Sequence, residues 1–189
     1  MRRKVSAALL FGISMSVATV AGAGSVANQF RSGAFGVPWN ATKARVEAKY
    51  PGGQWDKTAA NRDQYCVASK QTLLKLPAQH KTQRLCFVIG ADGTLANATA
   101  HMNPTLQSLL AVVNRSRTTF GDFDAVTRDE NSIQSRSTSM LWTKDAPYLV
   151  KVSSSNDADG SPEVVTFTVS DEAALHTGGA AQVSHQPGN

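Results

Sequence analysis

The chain lacks the short motifs that announce common chemistries. It contains no Gly-x-Ser-x-Gly elbow and no His-Glu-x-x-His pair, so neither the nucleophile of an α/β-hydrolase nor the ligand set of a zinc peptidase is on offer. Its four histidines, His80, His101, His176 and His185, are scattered and have no partners at useful spacing. There are only two cysteines, Cys66 and Cys86, and with His80 and His101 they match no zinc pattern. No catalytic residue, metal or other cofactor is therefore expected. Long apolar runs are missing beyond the N-terminus. Acidic residues are missing from one whole interval: none occurs between Asp63 and Asp92.

What the N-terminus does contain reads as an export signal. Arg2, Arg3 and Lys4 precede a stretch from Val5 to Val20 that is apolar but diluted by Ser6, Gly12, Ser14, Ser16 and Thr19. Ala21-Gly22-Ala23 then supplies the small-x-small site of a signal peptidase. The stretch falls short of the ~20 apolar residues of a membrane span. Residues 1–23 are thus expected to be a cleavable signal peptide, leaving no transmembrane segment and a periplasmic or secreted protein. Three of the positive charges leave with it, so the formal +5 becomes +2. That modest charge, without interleaved aromatics, argues against nucleic acid. In an oxidising compartment Cys66 and Cys86 are expected to form a disulfide.

Hydrophobic patterning predicts an α+β fold in the order α-βββ-α-βββ: one antiparallel sheet of about six strands with two helices on one face. Residues 24–36 read as a flexible lead-in, 37–171 as a single domain and 172–189 as a disordered tail. The first helix is expected over Ala41 to Tyr50, capped by Asn40 and stopped by Pro51-Gly52-Gly53. The second is expected from Asn103 and Pro104 to about Thr119, with Leu106, Leu109, Leu110 and Val113 facing the core. Strands are expected over Tyr65 to Leu73, Arg84 to Ile89, Thr94 to Met102, Ser137 to Thr143, Tyr148 to Ser154 and Val164 to Ser170. Asp92-Gly93 suits a type I′ hairpin turn. Placing Cys66 opposite Cys86 puts Tyr65 opposite Phe87, Val67 opposite Leu85, Ala98 opposite Phe87 and Ala96 opposite Ile89. The disulfide then lies on the other face, beside Ala68 and Arg84.

The acid-free interval carries Lys70, Lys75, His80, Lys81 and Arg84. With Trp55, which sits in a polar stretch, these residues form the expected partner-binding surface, suited to an acidic protein or to an anionic lipid or polymer. Leu73, Leu74 and Leu76 flank the charges. Ser155 to Gly160 resembles half a calcium loop but lacks the terminal carboxylates, so a turn is the better reading. Trp39, just ahead of the helix cap, and Trp142 are expected in the core.

The run Phe35-Gly36-Val37-Pro38-Trp39-Asn40-Ala41-Thr42, continued by Val46 and Tyr50-Pro51, is similar to a helix start found in small bacterial envelope proteins. A Phe-Gly after the second helix and a Trp on a later strand extend the likeness. The pattern resembles the β-lactamase-inhibitor-like fold and the small outer-membrane-assembly lipoproteins of the SmpA/OmlA type. That resemblance implies a binding or assembly module. The lipidated cysteine of the lipoproteins is missing here. The expected function is an exported, non-catalytic binding or accessory module that recognises a protein, such as another envelope or secreted protein, or an anionic envelope component (lipid or polymer). The alternative is a small extracytoplasmic hydrolase or a lipid or ligand carrier.

Overall fold

The computed structural model describes residues 25–129, 136–156 and 160–176. The expected signal peptide, the calcium-loop-like residues 157–159 and the end of the tail from 177 lie outside the described residues. No described helix is long and apolar enough to cross a membrane.

The fold is α+β with one antiparallel sheet, as expected, but the sheet has eight strands and not six. They are β1 (Gln54–Lys57), β2 (Asp63–Ala68), β3 (Thr82–Ile89), β4 (Leu95–Met102), β5 (Ala125–Asp129), β6 (Arg136–Trp142), β7 (Tyr148–Asn156) and β8 (Pro162–Asp171). Their spatial order is β1-β2-β3-β4-β8-β7-β6-β5. Two four-stranded meanders therefore meet at β4 and β8. Helix α2 (Lys43–Lys49) precedes the first meander and α3 (Leu106–Phe120) the second. The two strands that hydrophobic alternation missed, β1 and β5, are the edges, where short polar strands are the rule.

Among the described residues four α-helices are present where two were expected, three of them of five to seven residues. Within residues 25–36, where no element was expected, α1 (Val26–Phe30) buries Val26 and Phe30, and Ala34 is also buried. The Phe30 ring meets Phe120 at 5.9 Å and Phe167 at 6.2 Å. Such a short helix is held by this packing and by its Ser25 cap, whose Oγ accepts from the Asn28 amide at 3.1 Å. Residues 172–176 form α4 (Glu172–His176), at the end of the sheet.

The core register is the expected one. Cys66 pairs with Cys86, Tyr65 with Phe87, Val67 with Leu85, and Ala98 with both Phe87 and Val169. Phe87, Ala98, Val169, Val150 and Trp142 form one buried row across the sheet. One pairing is corrected: Ile89 faces Leu95, not Ala96. The cause is the turn. The Gly90 amide donates to the Thr94 carbonyl at 2.7 Å and the Gly93 amide to the Gly90 carbonyl at 3.1 Å. Only Gly93 has positive φ (80°) there, so this is a three-residue loop with a bulge, not a two-residue type I′ turn.

Both helices also differ in detail. Thr42, not Asn40, precedes α2. Thr105, not Asn103, caps α3, and its Oγ1 accepts from the Ser108 amide at 3.1 Å. The buried stripe of α3 is Ser108, Val112 and Ser116, while Leu106 and Leu110 stand 58% and 52% exposed. The helix presents its small side chains because the sheet and α1 supply the bulk: Phe167, Val152, Trp142 and Phe30 belong to the same buried cluster. Trp142 is buried and donates from Nε1 to the Gly121 carbonyl at 2.8 Å, and Trp39 donates to the Phe30 carbonyl at 2.7 Å.

Candidate functional site

Helices α1, α2 and α3 pack on one side of the sheet, and the alternate residues of each strand form a second face, on which Cys86, Val88, Thr168 and Ser170 are themselves buried. Its middle row runs Cys66, Cys86, Thr99, Thr168, Lys151 and Leu141 across β2 to β6. A neighbouring row runs Ala68, Arg84, His101, Thr166, Ser153 and Ser139. Short side chains (Ala68, Thr99, Thr168, Ser153, Ser139) alternate on it with the long ones of Arg84, His101, Lys151 and Leu141. Hydroxyls pair across strands: Thr99 with Thr168 at 3.0 Å over the seam between the meanders, and Ser139 with Ser153 at 2.8 Å.

The charges on this face are of one sign at its centre. Arg84 is exposed and Lys151 half-buried. Asp56 on β1 and Asp129 on β5 belong to the same face at its two edges, and Glu163 is exposed at the β7–β8 register shift. His101 lies directly opposite Arg84. Burial pushes its imidazole below the ordinary histidine range, and the Arg84 guanidinium pushes the same way. The disulfide Cys66–Cys86 bridges β2 and β3 in the middle of this surface, beside Ala68 and Arg84 as the register required.

The expected partner-binding residues divide. Lys70 and Lys81 line a cleft of about 460 Å³ with Ala68 and Gln83, and Arg84 lines an adjoining one of about 450 Å³ that shares Ala68 and Gln83. These three cations therefore gather where β2 and β3 leave the sheet. The other three do not join them. Lys75 sits beside α3, where its carbonyl accepts from Arg115 at 3.3 Å. His80 Nδ1 lies 3.4 Å from Ser108 Oγ on the same helix. Trp55 is half-buried on the core side of β1, against Tyr65 at 5.0 Å, hydrogen-bonded to Glu47, with the Lys43 ammonium 5.3 Å from its ring. Leu73 and Leu76 are buried and Leu74 is half-buried. Sequence reasoning put His101 on the non-core face, as observed, but missed Lys151 and the hydroxyl rows. Their signal was present as the polar half of the alternation in β4, β7 and β8.

Among the described residues no group of three or more His, Cys, Asp or Glu is placed to hold a metal ion. The molecule thus defines itself as an α+β module built on one antiparallel sheet. No protein-family profile matches the chain, no curated protein matches it, and no solved structure matches it.

Proposed function

We propose that this chain is a non-catalytic recognition module, exported from the cytosol, that docks the acidic surface of another protein on the second face of its sheet. The observation that supports it is charge complementarity at the centre of that face. Arg84 and Lys151 stand at the middle of the face and Lys70 and Lys81 at its corner, while Asp56 and Asp129 stand at its edges. A cluster of cations at the centre steers an acidic partner towards it. The disulfide supports an oxidising compartment. The resemblance to small envelope binding proteins points the same way.

The test is capture at low salt from envelope extract of the host, using residues 24–189 and two variants. Arg84→Glu/Lys151→Glu reverses the face. Leu110→Lys changes an exposed helix position on the opposite side. The proposal expects an acidic protein to be retained by the wild type and the helix variant and lost by the face variant. No capture at low salt, or capture indifferent to the face variant, overturns it. So does face-dependent binding to anionic vesicles with no protein partner.

A further inference from the structure

A second site is built on the helix side, independent of the docking face. A cleft of about 460 Å³, within the range of about 300–1,000 Å³ typical of ligand sites, lies between residues 29–38 and 71–74. Each of its two walls is a tight turn. In the first, Ala34 and Val37 exchange amide–carbonyl hydrogen bonds of 2.9 and 3.0 Å, with Phe35 at φ 52° and Gly36 at φ 73° between them. In the second, the Leu76 amide donates to the Leu73 carbonyl at 2.8 Å, with Leu74 at φ 48° and Lys75 at φ 58°.

Positive φ at both central positions is the type I′ geometry, which favours Asn-Gly. Here the first central residue is Phe in one turn and Leu in the other, and bulky side chains are disfavoured in that region. Asn61 is the one other described non-glycine residue with positive φ, and asparagine tolerates it. The strained pair, Phe35 and Leu74, both line the same cleft. Strain of this kind persists where surrounding structure enforces it, often at ligand clamps.

The enforcement is visible. The Tyr50 hydroxyl donates to the Phe35 carbonyl at 2.6 Å and accepts from Gln71 Nε2 at 3.0 Å, tying one wall to the other. Gly33, at φ 133°, has no room for a Cβ, which would fall 2.0 Å from the Val37 carbonyl oxygen. The cleft is thus fixed before any ligand arrives.

Its lining is uncharged, with one cation beside it: the Lys49 ammonium lies 3.7 Å from where a Cβ on Gly36 would fall. Half-buried Phe35 and Leu74 give it apolar walls, and Gln29, Ser32, Gln71 and Thr72 give it an exposed rim; no lining residue is charged. Amides and hydroxyls both donate and accept hydrogen bonds, as sugar hydroxyls do. An aromatic face beside such a rim suits the C–H side of a pyranose ring. A lipid tail would leave the four rim groups without partners. We infer that this cleft binds a neutral saccharide, with Phe35 against the ring and Gln71 and Thr72 on its hydroxyls.

The test is an NMR amide titration of residues 24–189 with cellobiose, maltose and chitobiose, beside glucuronic acid and a neutral leucine-containing tripeptide. The expected result is saturable shifts with at least one neutral disaccharide, centred on residues 32–37 and 71–74. Phe35→Asn should then weaken binding at least about tenfold while preserving or raising thermal stability, since Asn-Gly relieves the turn. Thr72→Ala, on the exposed rim, should weaken it several-fold and decides the matter if Phe35→Asn does not fold. No localised shift with any of the three disaccharides overturns the inference. Shifts with the tripeptide or glucuronate alone, or affinity unchanged by both substitutions, overturn it as well.

Discussion

Replacing both cysteines by alanine tests how much of the first meander depends on its covalent link. Cys66 and Cys86 are separated by 20 residues. In the chain-entropy treatment, closing a loop of that length removes about 11 cal/mol/K from the unfolded ensemble, or about 3 kcal/mol at 25 °C. The native state should be little altered. β2 and β3 are held by five consecutive cross-strand pairs, of which the disulfide is the middle one, and the opposite side of the same strands is buried through Tyr65, Leu85 and Phe87. The variant should therefore fold to the same sheet and lose about 3 kcal/mol. For a domain of this size that is roughly 6–12 °C in Tm. Urea unfolding followed by far-UV circular dichroism gives the free energy, and amide exchange gives the β2–β3 pairing. An unchanged midpoint would refute the entropic argument. Loss of β2–β3 protection with the rest of the sheet intact would refute the claim that packing alone holds the register.

Other consequences follow from single residues. Ser116 is fully buried on α3 and its hydroxyl has no hydrogen-bond partner; Ser116→Ala should stabilise the fold by about 1 kcal/mol, read as a higher urea midpoint. His101 is held below its ordinary range by burial first and Arg84 second. Folding therefore gains stability above the unfolded value of about 6.5 and loses it as pH falls through the native value. Arg84→Gln should move the imidazole titration, followed by NMR, only part of the way back, and full restoration would show that the charge and not burial dominates. Burial opposes ionisation of Asp124, but the Lys144 ammonium and the Thr143 and Lys144 amides outweigh it and lower its pKa. Its contribution is present above about pH 3.9 and lost as pH falls through the native value. Asp124→Asn should cost about 1 kcal/mol at neutral pH and progressively less under acid, as measured by urea midpoints across pH.

The inner strands were legible because burial on one face forces strict alternation. Tyr65-Cys66-Val67 against Leu85-Cys86-Phe87 has one register that sets the large apolar residues on one side, and the structure has that register. The edge strands were not legible for the converse reason. Gln54-Trp55-Asp56-Lys57 and Ala125 to Asp129 pair with one neighbour only and tolerate charge, so they read as polar connections. The anchors Val26 and Phe30 escaped notice because a five-residue helix has no periodicity to detect. The strain at Phe35 was hidden too: a phenylalanine before glycine looks like any extended residue until the backbone shows φ 52°.

The second face of the sheet can be dry enough to meet a partner because its hydroxyls satisfy one another. Thr99 with Thr168 and Ser139 with Ser153 hydrogen-bond laterally within the sheet. Covering such pairs forces few unmade hydrogen bonds, so the short side chains add little desolvation cost and little selectivity. Discrimination then falls to the few groups that rise from the plane. Arg84 offers a planar, bidentate donor set to a carboxylate and Lys151 a point charge. His101, kept neutral beside Arg84, leaves that arginine the sole full charge of its cross-strand pair at neutral pH. On the docking reading proposed above, specificity would be concentrated on β3 and β7, one cation in each meander, on either side of the β4–β8 seam.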